Sequence, residues 1–220
     1  MADTGDAHAK AERERVEDEG FFQLYGPWQP FTLTEAKELF DPIGIPWWIA
    51  GGQAAEAFHQ SPRPHEDIDI SMFRKDLPEL RQAVEGVYHV WSAGSGALRP
   101  VDDRYPEPHA ESDQVWLRTY ALAPWRADVV LNPDREGDWV SRRDTTFSAP
   151  LDAVTWERDG IRYLNPEIVL CFKARQLRSK DEHDFAAIVP LLDDGARSWL
   201  ADYLERCEEP DHPWLDRVRG

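Results

Sequence analysis

Apolar residues in this chain fall into two patterns. Up to about residue 164 they come in short runs broken by glycine, proline or charge: Trp47-Trp48-Ile49-Ala50, Ile68 to Phe73, Val87 to Trp91, Val115 to Ala121, Arg126 to Leu131 and Ile161 to Leu164. Runs of that length bounded by turn residues predict strands. From Pro166 the spacing becomes helical. Ile168, Val169, Cys171, Phe172 and Leu177 form one apolar face; Phe185, Ile188, Val189 and Leu192 form a second; Trp199, Leu200, Tyr203 and Leu204 form a third. Shorter helices are predicted at Thr34 to Phe40, with Thr34 as N-cap, at Gln53 to His59, and from Leu77 to Gly86 with Pro78 in the first turn. Ser179 and Glu182 have the spacing of a capping box. Residues 92–113, rich in Gly, Pro and Asp, read as a long loop, and 132–143 as a charged turn region.

The predicted fold is therefore α/β (α+β): a mixed sheet flanked by helices, followed by a small C-terminal helical lobe. Three segments are expected. Residues 1–20 nearly lack large apolar side chains and form a disordered tail or a frayed helix. Residues 21–160 form the sheet domain, and 161–220 the helical lobe.

Composition narrows the class. The chain has 220 residues, 41% hydrophobic, with 10 tryptophans, which suffices for a real core. Two distant cysteines, Cys171 and Cys207, make neither a disulfide framework nor a zinc quartet, and point to a cytoplasmic protein. The polar start has no apolar leader, and no apolar run approaches the roughly 20 residues of a membrane helix. The formal net charge of −17 disfavours nucleic acid as partner and favours a cationic ligand or a metal complex.

The candidate chemistry lies between Gly51 and Ile70. Gly51-Gly52 sits where a strand becomes a helix. It is either a tight turn needing positive φ or a place where the backbone approaches a phosphate at a helix N-terminus. Asp67 and Asp69, spaced i, i+2 in an apolar run, would share one face of a strand while Ile68 and Ile70 face the core. Paired carboxylates repel unless a cation lies between them, and Mg²⁺ suits hard oxygen ligands. Asp128, an acid inside the apolar run Ala127 to Leu131, is the best third ligand; its alternatives are an edge-strand position or an ion pair with Arg126. Asp102, Asp103 and Asp113 lie in loop-like sequence and are weaker choices.

The glycine turn, the helix and the run Arg63-Pro64-His65-Glu66-Asp67-Ile68-Asp69-Ile70 together resemble the polymerase-β-type nucleotidyltransferase superfamily, and more narrowly the aminoglycoside and lincosamide nucleotidyltransferases. The likeness covers about residues 45–73, with 126–131 as the third-acid strand. Lys173 and the stretch Arg178 to Phe185 resemble, more loosely, the helical segment of toxin-type and antibiotic-modifying members. The resemblance implies two Mg²⁺ ions held by Asp67, Asp69 and Asp128, and an NTP, ATP foremost, held by Gly51 and Gly52. It also implies phosphate support from Arg63 and Lys173, with Asp184 supporting the site. His65 is read as support, not as a base. Glu56 stands where many relatives have Asp, and Gln53 where an aromatic is common. The expected activity is transfer of a nucleoside monophosphate to a hydroxyl of a small, cationic molecule, chosen by the 92–113 loop and the C-terminal helices. The alternatives are a toxin-type enzyme acting on RNA or protein, and a degenerate nucleotide-binding module.

Overall fold

The computed structural model describes residues 4–94, 96–209 and 211–220. In chain order the elements are α1 (Thr4–Tyr25), α2 (Leu33–Phe40), β1 (Trp47–Ile49), α3 (Gly51–His59), β2 (Asp69–Phe73), α4 (Leu77–Val84), β3 (His89–Gly94), β4 (Ala97–Pro100), β5 (Gln114–Arg118) and β6 (Ala127–Asn132). Then follow β7 (Asp134–Arg135), β8 (Asp138–Val140), β9 (Ser148–Ala149), α5 (Leu151–Val154), β10 (Thr155–Arg158), β11 (Ile161–Leu164), α6 (Pro166–Lys173), α7 (Ser179–Ile188), α8 (Asp194–Cys207) and α9 (Leu215–Arg219).

The large sheet has the order β10-β11-β1-β2-β6-β5-β3-β4. It is mixed: β1 runs parallel to β11 and β2 parallel to β6, while the other neighbours are antiparallel. Strand alternation divides it into two faces. Ile70, Met72, Val115, Leu117, Val129 and Leu131 are buried on the core side. Asp69, Ser71, Gln114, Trp116, Asp128, Val130 and Asn132 occupy the alternate positions and line a cavity. The polar face is thus written into the same strands that build the core.

The C-terminal helices share that core. Ile168, Leu170, Phe185, Leu200 and Trp214 are buried in the same cluster as Trp48, Ile49 and Ile70. Strand β11 belongs to the large sheet, so the expected division after residue 160 falls inside the β10–β11 hairpin, and the all-helical part begins at Pro166.

Several local expectations shift. The α2 cap is Thr32, not Thr34: Glu35 N–H donates to Thr32 Oγ1 (3.2 Å) and Thr32 N–H donates to Glu35 Oε2 (2.8 Å). Glu35 lies three residues after Thr32, which completes a capping box that Thr34 has no partner to make. At α7 the N-cap is Arg178, and the capping carboxylate is Asp181, which accepts from Arg178 N–H at 3.0 Å. Residues 92–94 and 97–100 are not loop. They complete β3 and form β4, an edge strand where Pro100 is tolerated. Within 132–143, β7 and β8 form a small sheet with β9. The expected tail carries α1 from Thr4 onward, while residues 1–3 lie outside the described residues. This helix is tied down by Lys10 Nζ, which donates to Leu177 O, and by Phe21 and Tyr25, whose rings meet Trp116 at 5.9 and 5.8 Å.

No described helix is long and apolar enough to cross a membrane.

Candidate active site

The site begins with a register. Parallel pairing of β2 and β6 sets Asp69 opposite Asp128. Antiparallel pairing of β6 with β5 sets Asp128 opposite Trp116. Residues directly opposite share a face, so two carboxylates and one indole stand in a row. Asp128 N–H donates to Ile68 O at 3.1 Å, and Ala50 N–H donates to Asp69 O at 2.9 Å. These bonds carry the sheet ladder one residue past β1 and bring the Gly51-Gly52 turn against Asp69.

Both glycines are required, for different reasons. Gly51 has φ +59°, and a Cβ there would overlap Asp69 Oδ2. A Cβ on Gly52 would overlap the Arg63 guanidinium and stand 2.9 Å from His65 Nδ1. The positive-φ reading of the glycine pair holds at Gly51, and at both positions the missing Cβ leaves room for neighbouring side chains. Helix α3 starts here with Ala50 as N-cap and no side-chain cap, so its first N–H groups and positive dipole end face the cavity.

Burial and mutual repulsion mark the acids. Asp69 is pushed up to about 7 by burial first and then by Asp67, while Lys173, Arg142 and Arg178 pull it back. Asp128 is raised well above the carboxylate range by burial, then by Asp69 and Asp67. The Trp116 indole N–H opposes that rise, although it makes no hydrogen bond of ordinary geometry. Asp128 Oδ1 is buried and has no hydrogen-bond partner.

The expected three-acid cluster needs a correction. β2 starts at Asp69, so Asp67 lies ahead of the strand and is exposed. Among the described residues no three His, Cys, Asp or Glu side chains converge at metal-ligating spacing. The arrangement is a tight pair, Asp69 and Asp128, with Asp67 close enough to raise both. The pair fits a cation: two neighbouring carboxylates disfavour joint ionisation, and an orphaned carboxylate oxygen faces a polar cavity. Asp128 makes no ion pair with Arg126, which binds Glu35 at 2.9 Å instead.

Opposite the acids the cavity is cationic. It measures about 480 Å³ and its wall includes Arg63, Arg142, Arg143, Lys173, Arg178 and Lys180. Arg63 is fixed by a bidentate pair to Asp184, with Nε and Nη2 both 3.1 Å from its oxygens. Lys173, buried, reaches Asp181 at 3.2 Å and Asp184 at 2.9 Å. Arg178 binds Asp181 at 2.8 Å. The cations hold both aspartates below the usual carboxylate range against the cost of burial. Asp184 is fully buried and lies behind the wall, not on it.

Three features had no counterpart in the sequence reading. Arg142 and Arg143 enter the cavity from the β8–β9 connection, both over the Phe172 ring at 5.5 and 5.7 Å. Glu56 accepts from His65 Nε2–H at 2.7 Å and from Arg63 N–H at 3.1 Å. A glutamate reaches that far from α3, so the departure at Glu56 acts as a clasp on the Arg63–His65 segment. Finally, Phe21 and Trp28 join Trp116 on the cavity wall. None of the described residues of 92–113 lines the cavity, whereas α6 and the start of α7 contribute Val169, Phe172, Lys173 and Lys180.

A mixed sheet with paired acids beside a glycine-opened helix is the architecture of a nucleotidyltransferase. The sequence profile of the aminoglycoside-2''-adenylyltransferase family matches residues 32–188, and the chain belongs to that family. Solved structures with the same fold include ANT(2'')-Ia, an antibiotic-resistance factor known in solution and in complex with adenylyl-2''-tobramycin. In the complex it is 14% identical, with TM-score 0.51, over 77% of this chain and 92% of that one. The lincosamide antibiotic adenylyltransferase LnuA, bound to lincomycin, is 17% identical, with TM-score 0.52, over 74% of this chain and 100% of that one. No curated protein matches the chain by sequence.

The acid pair sets a pH dependence. With Asp69 raised to about 7, this group binds more protons in the folded metal-free protein than in the unfolded chain between about pH 4 and 7. Its contribution to stability therefore falls as pH rises through that window. Asp69→Asn should flatten the fall and be the more stable protein at pH 8 without metal, as read by urea unfolding across pH. A wild type and variant that lose stability in parallel would remove the repulsion from the account. Lys173→Met should cost about 3 kcal/mol in the same assay, the low end for breaking a buried pair, because Arg63 and Arg178 still face the two aspartates. A loss under about 1 kcal/mol would show that those two arginines suffice.

Proposed function

We propose that the protein catalyses Mg²⁺-dependent transfer of a nucleoside monophosphate from an NTP, ATP foremost, to a hydroxyl of a small molecule. The observation that carries the proposal is the register pairing of Asp69 with Asp128 beside Gly51. Family membership supports the reaction type, and the tobramycin and lincomycin complexes of the structural neighbours support a small-molecule acceptor.

Asp69 and Asp128, joined by Asp67, would hold the divalent cation. Bound there, Mg²⁺ would neutralise the acid pair and polarise the phosphates. The chain's own groups do the rest. The uncapped N–H groups at Gly51 and Gly52 hold triphosphate oxygens. Arg63 is fixed against Gly52 by Asp184 and points its positive charge at the same phosphates. Lys173, Arg142 and Arg143 offset charge that builds on the leaving pyrophosphate.

The acceptor oxygen forms its bond to the α-phosphorus as the bond from that phosphorus to the bridging oxygen of the β-phosphate breaks. Pyrophosphate leaves with the electron pair. The hydroxyl proton is assigned to Asp128, the carboxylate that stands opposite Trp116.

The test is acceptor-dependent pyrophosphate release with radiolabelled NTPs. Wild type should label a small hydroxyl compound, and Asp128→Asn should lose about 100-fold or more in kcat. Label appearing in RNA or protein from a cell extract would instead favour the toxin-type reading. Binding of Mg²⁺–NTP with no label transferred to any acceptor would mark a binding module.

A further inference from the structure

Helix α1 lies outside the matched family profile, which begins at residue 32, yet it covers one end of the cavity. Two different parts of the fold hold it. Lys10 Nζ donates to Leu177 O in the turn between α6 and α7. Phe21 and Tyr25 set their rings against Trp116 on β5. The helix thus straddles the gap between the basic helices and the sheet. Beneath it is a recess of about 180 Å³, where Phe21, Phe22 and Trp28 face Asp67, Arg178 and Lys180. Phe21 and Asp67 also line the main cavity, so the recess adjoins it under α1.

Little holds α1 in place. None of its described side chains is buried, and Val16 and Leu24, at 55% and 78% exposed, face solvent. Arg15 pairs with Glu12 and Glu19 along the helix surface. Such a helix is sustained by its own ion pairs more than by a core, and segments with few buried contacts open first. A hinge stands at its end. Gly26 has φ +91°, and past it the chain is fixed to the sheet. Trp125 N–H donates to Pro27 O at 3.0 Å, and Gln29 N–H donates to Trp125 O at 2.9 Å. The main cavity, about 480 Å³, has room for one drug-sized molecule. Nucleotidyl transfer brings two together, the NTP and the acceptor. The strands, α6 and α7 are locked into the shared core; α1 is not.

We propose that α1 is a gate on the acceptor side of the cavity, latched by Lys10 on Leu177 O and hinged at Gly26, and that the acceptor binds with the gate swung out. The gate rests on the nucleotidyl-transfer reading, since a reaction of two substrates is what requires it. Its side follows from the register: Trp116, on which Phe21 and Tyr25 rest, stands opposite Asp128, the carboxylate assigned to the acceptor proton. The nucleotide side, at Gly51, Arg63 and Lys173, is fixed by buried pairs and needs no such movement. Binding to the open form alone ties affinity to the open fraction. Whatever raises that fraction lowers the acceptor Kd by the same factor.

The test pairs two measurements on the full chain. Limited trypsin digestion follows cleavage after Arg15. Calorimetry titrates tobramycin, and separately lincomycin, onto protein saturated with Mg²⁺ and a non-hydrolysable ATP analogue. A detached polar helix is marginal in water and frays, so the cleavage rate reports the open fraction. Lys10→Met keeps the side-chain stem and removes the latch. It should speed cleavage at least about fivefold and tighten a bound probe by the same factor, with the Kd for the Mg²⁺–nucleotide within about twofold of wild type. A probe bound to the wild type should itself speed cleavage. Cleavage slowed by the probe would make α1 a lid that closes over the acceptor and would overturn the gate. So would Lys10→Met cut at the wild-type rate, faster cutting with no gain in probe affinity, or neither probe binding the variant. Failure of the nucleotide itself to bind would bring down the nucleotidyl-transfer reading, and the gate with it.

Discussion

Everything in the site depends on one sheet register. Pairing β2 with β6 so that Asp69 meets Asp128 places two carboxylates side by side on a face that is otherwise half apolar. The apolar alternation of Ile70, Met72, Val129 and Leu131 fixes that register, because a slip by one residue would turn Asp69 and Asp128 into the core. Hydrophobic burial thus enforces an electrostatic conflict. The conflict shows in the raised Asp69 and Asp128 and in the unpartnered Asp128 oxygen. It explains why the neighbouring backbone is glycine: at Gly51 only a missing Cβ leaves room for the Asp69 carboxylate.

The opposite wall resolves its own charges internally. Lys173, Arg63 and Arg178 share Asp181 and Asp184, both fully buried. The buried acids hold the cations in place on rigid helices α6 and α7, so the positive wall is set before any ligand arrives. This fastens the helical segment to the sheet domain through Arg63, and it makes Asp184 a positioning group rather than a ligand. The cavity therefore has an acidic side on strands, a basic side on helices, and an aromatic end supplied by Phe21, Trp28 and Trp116.

The sequence was legible where chemistry and local pattern coincided. Gly51-Gly52, Asp69 and Asp128 sit at the junctions of short apolar runs, and a charge there stands out against its neighbours. Lys173 stood out for the same reason on an apolar helix. Arg142 and Arg143 did not, because two arginines in a polar stretch look like any solvated turn; only the β8–β9 pairing aims them at the cavity. The β3–β4 hairpin was hidden by glycine, serine and proline, residues that mark loops but are tolerated on an edge strand. The α2 cap turned on which threonine had a glutamate three residues on. Asp67 was placed on the strand because i, i+2 spacing assumes the strand has already begun, whereas pairing starts two residues later. The preference for a cationic acceptor followed from the whole-chain charge, which speaks to association and not to the identity of the acceptor.

The central claim is that Asp69 and Asp128 form a cation site beside a phosphate cradle. Anomalous diffraction from crystals grown with Mn²⁺ and a non-hydrolysable ATP analogue tests it most directly. The account predicts a metal peak at about 2.2 Å from carboxylate oxygens of both Asp69 and Asp128. It also predicts Asp67 drawn in from its exposed position, and the triphosphate against the backbone of Gly51 and Gly52. A metal bound away from this pair, or a triphosphate seated elsewhere in the cavity, would contradict it.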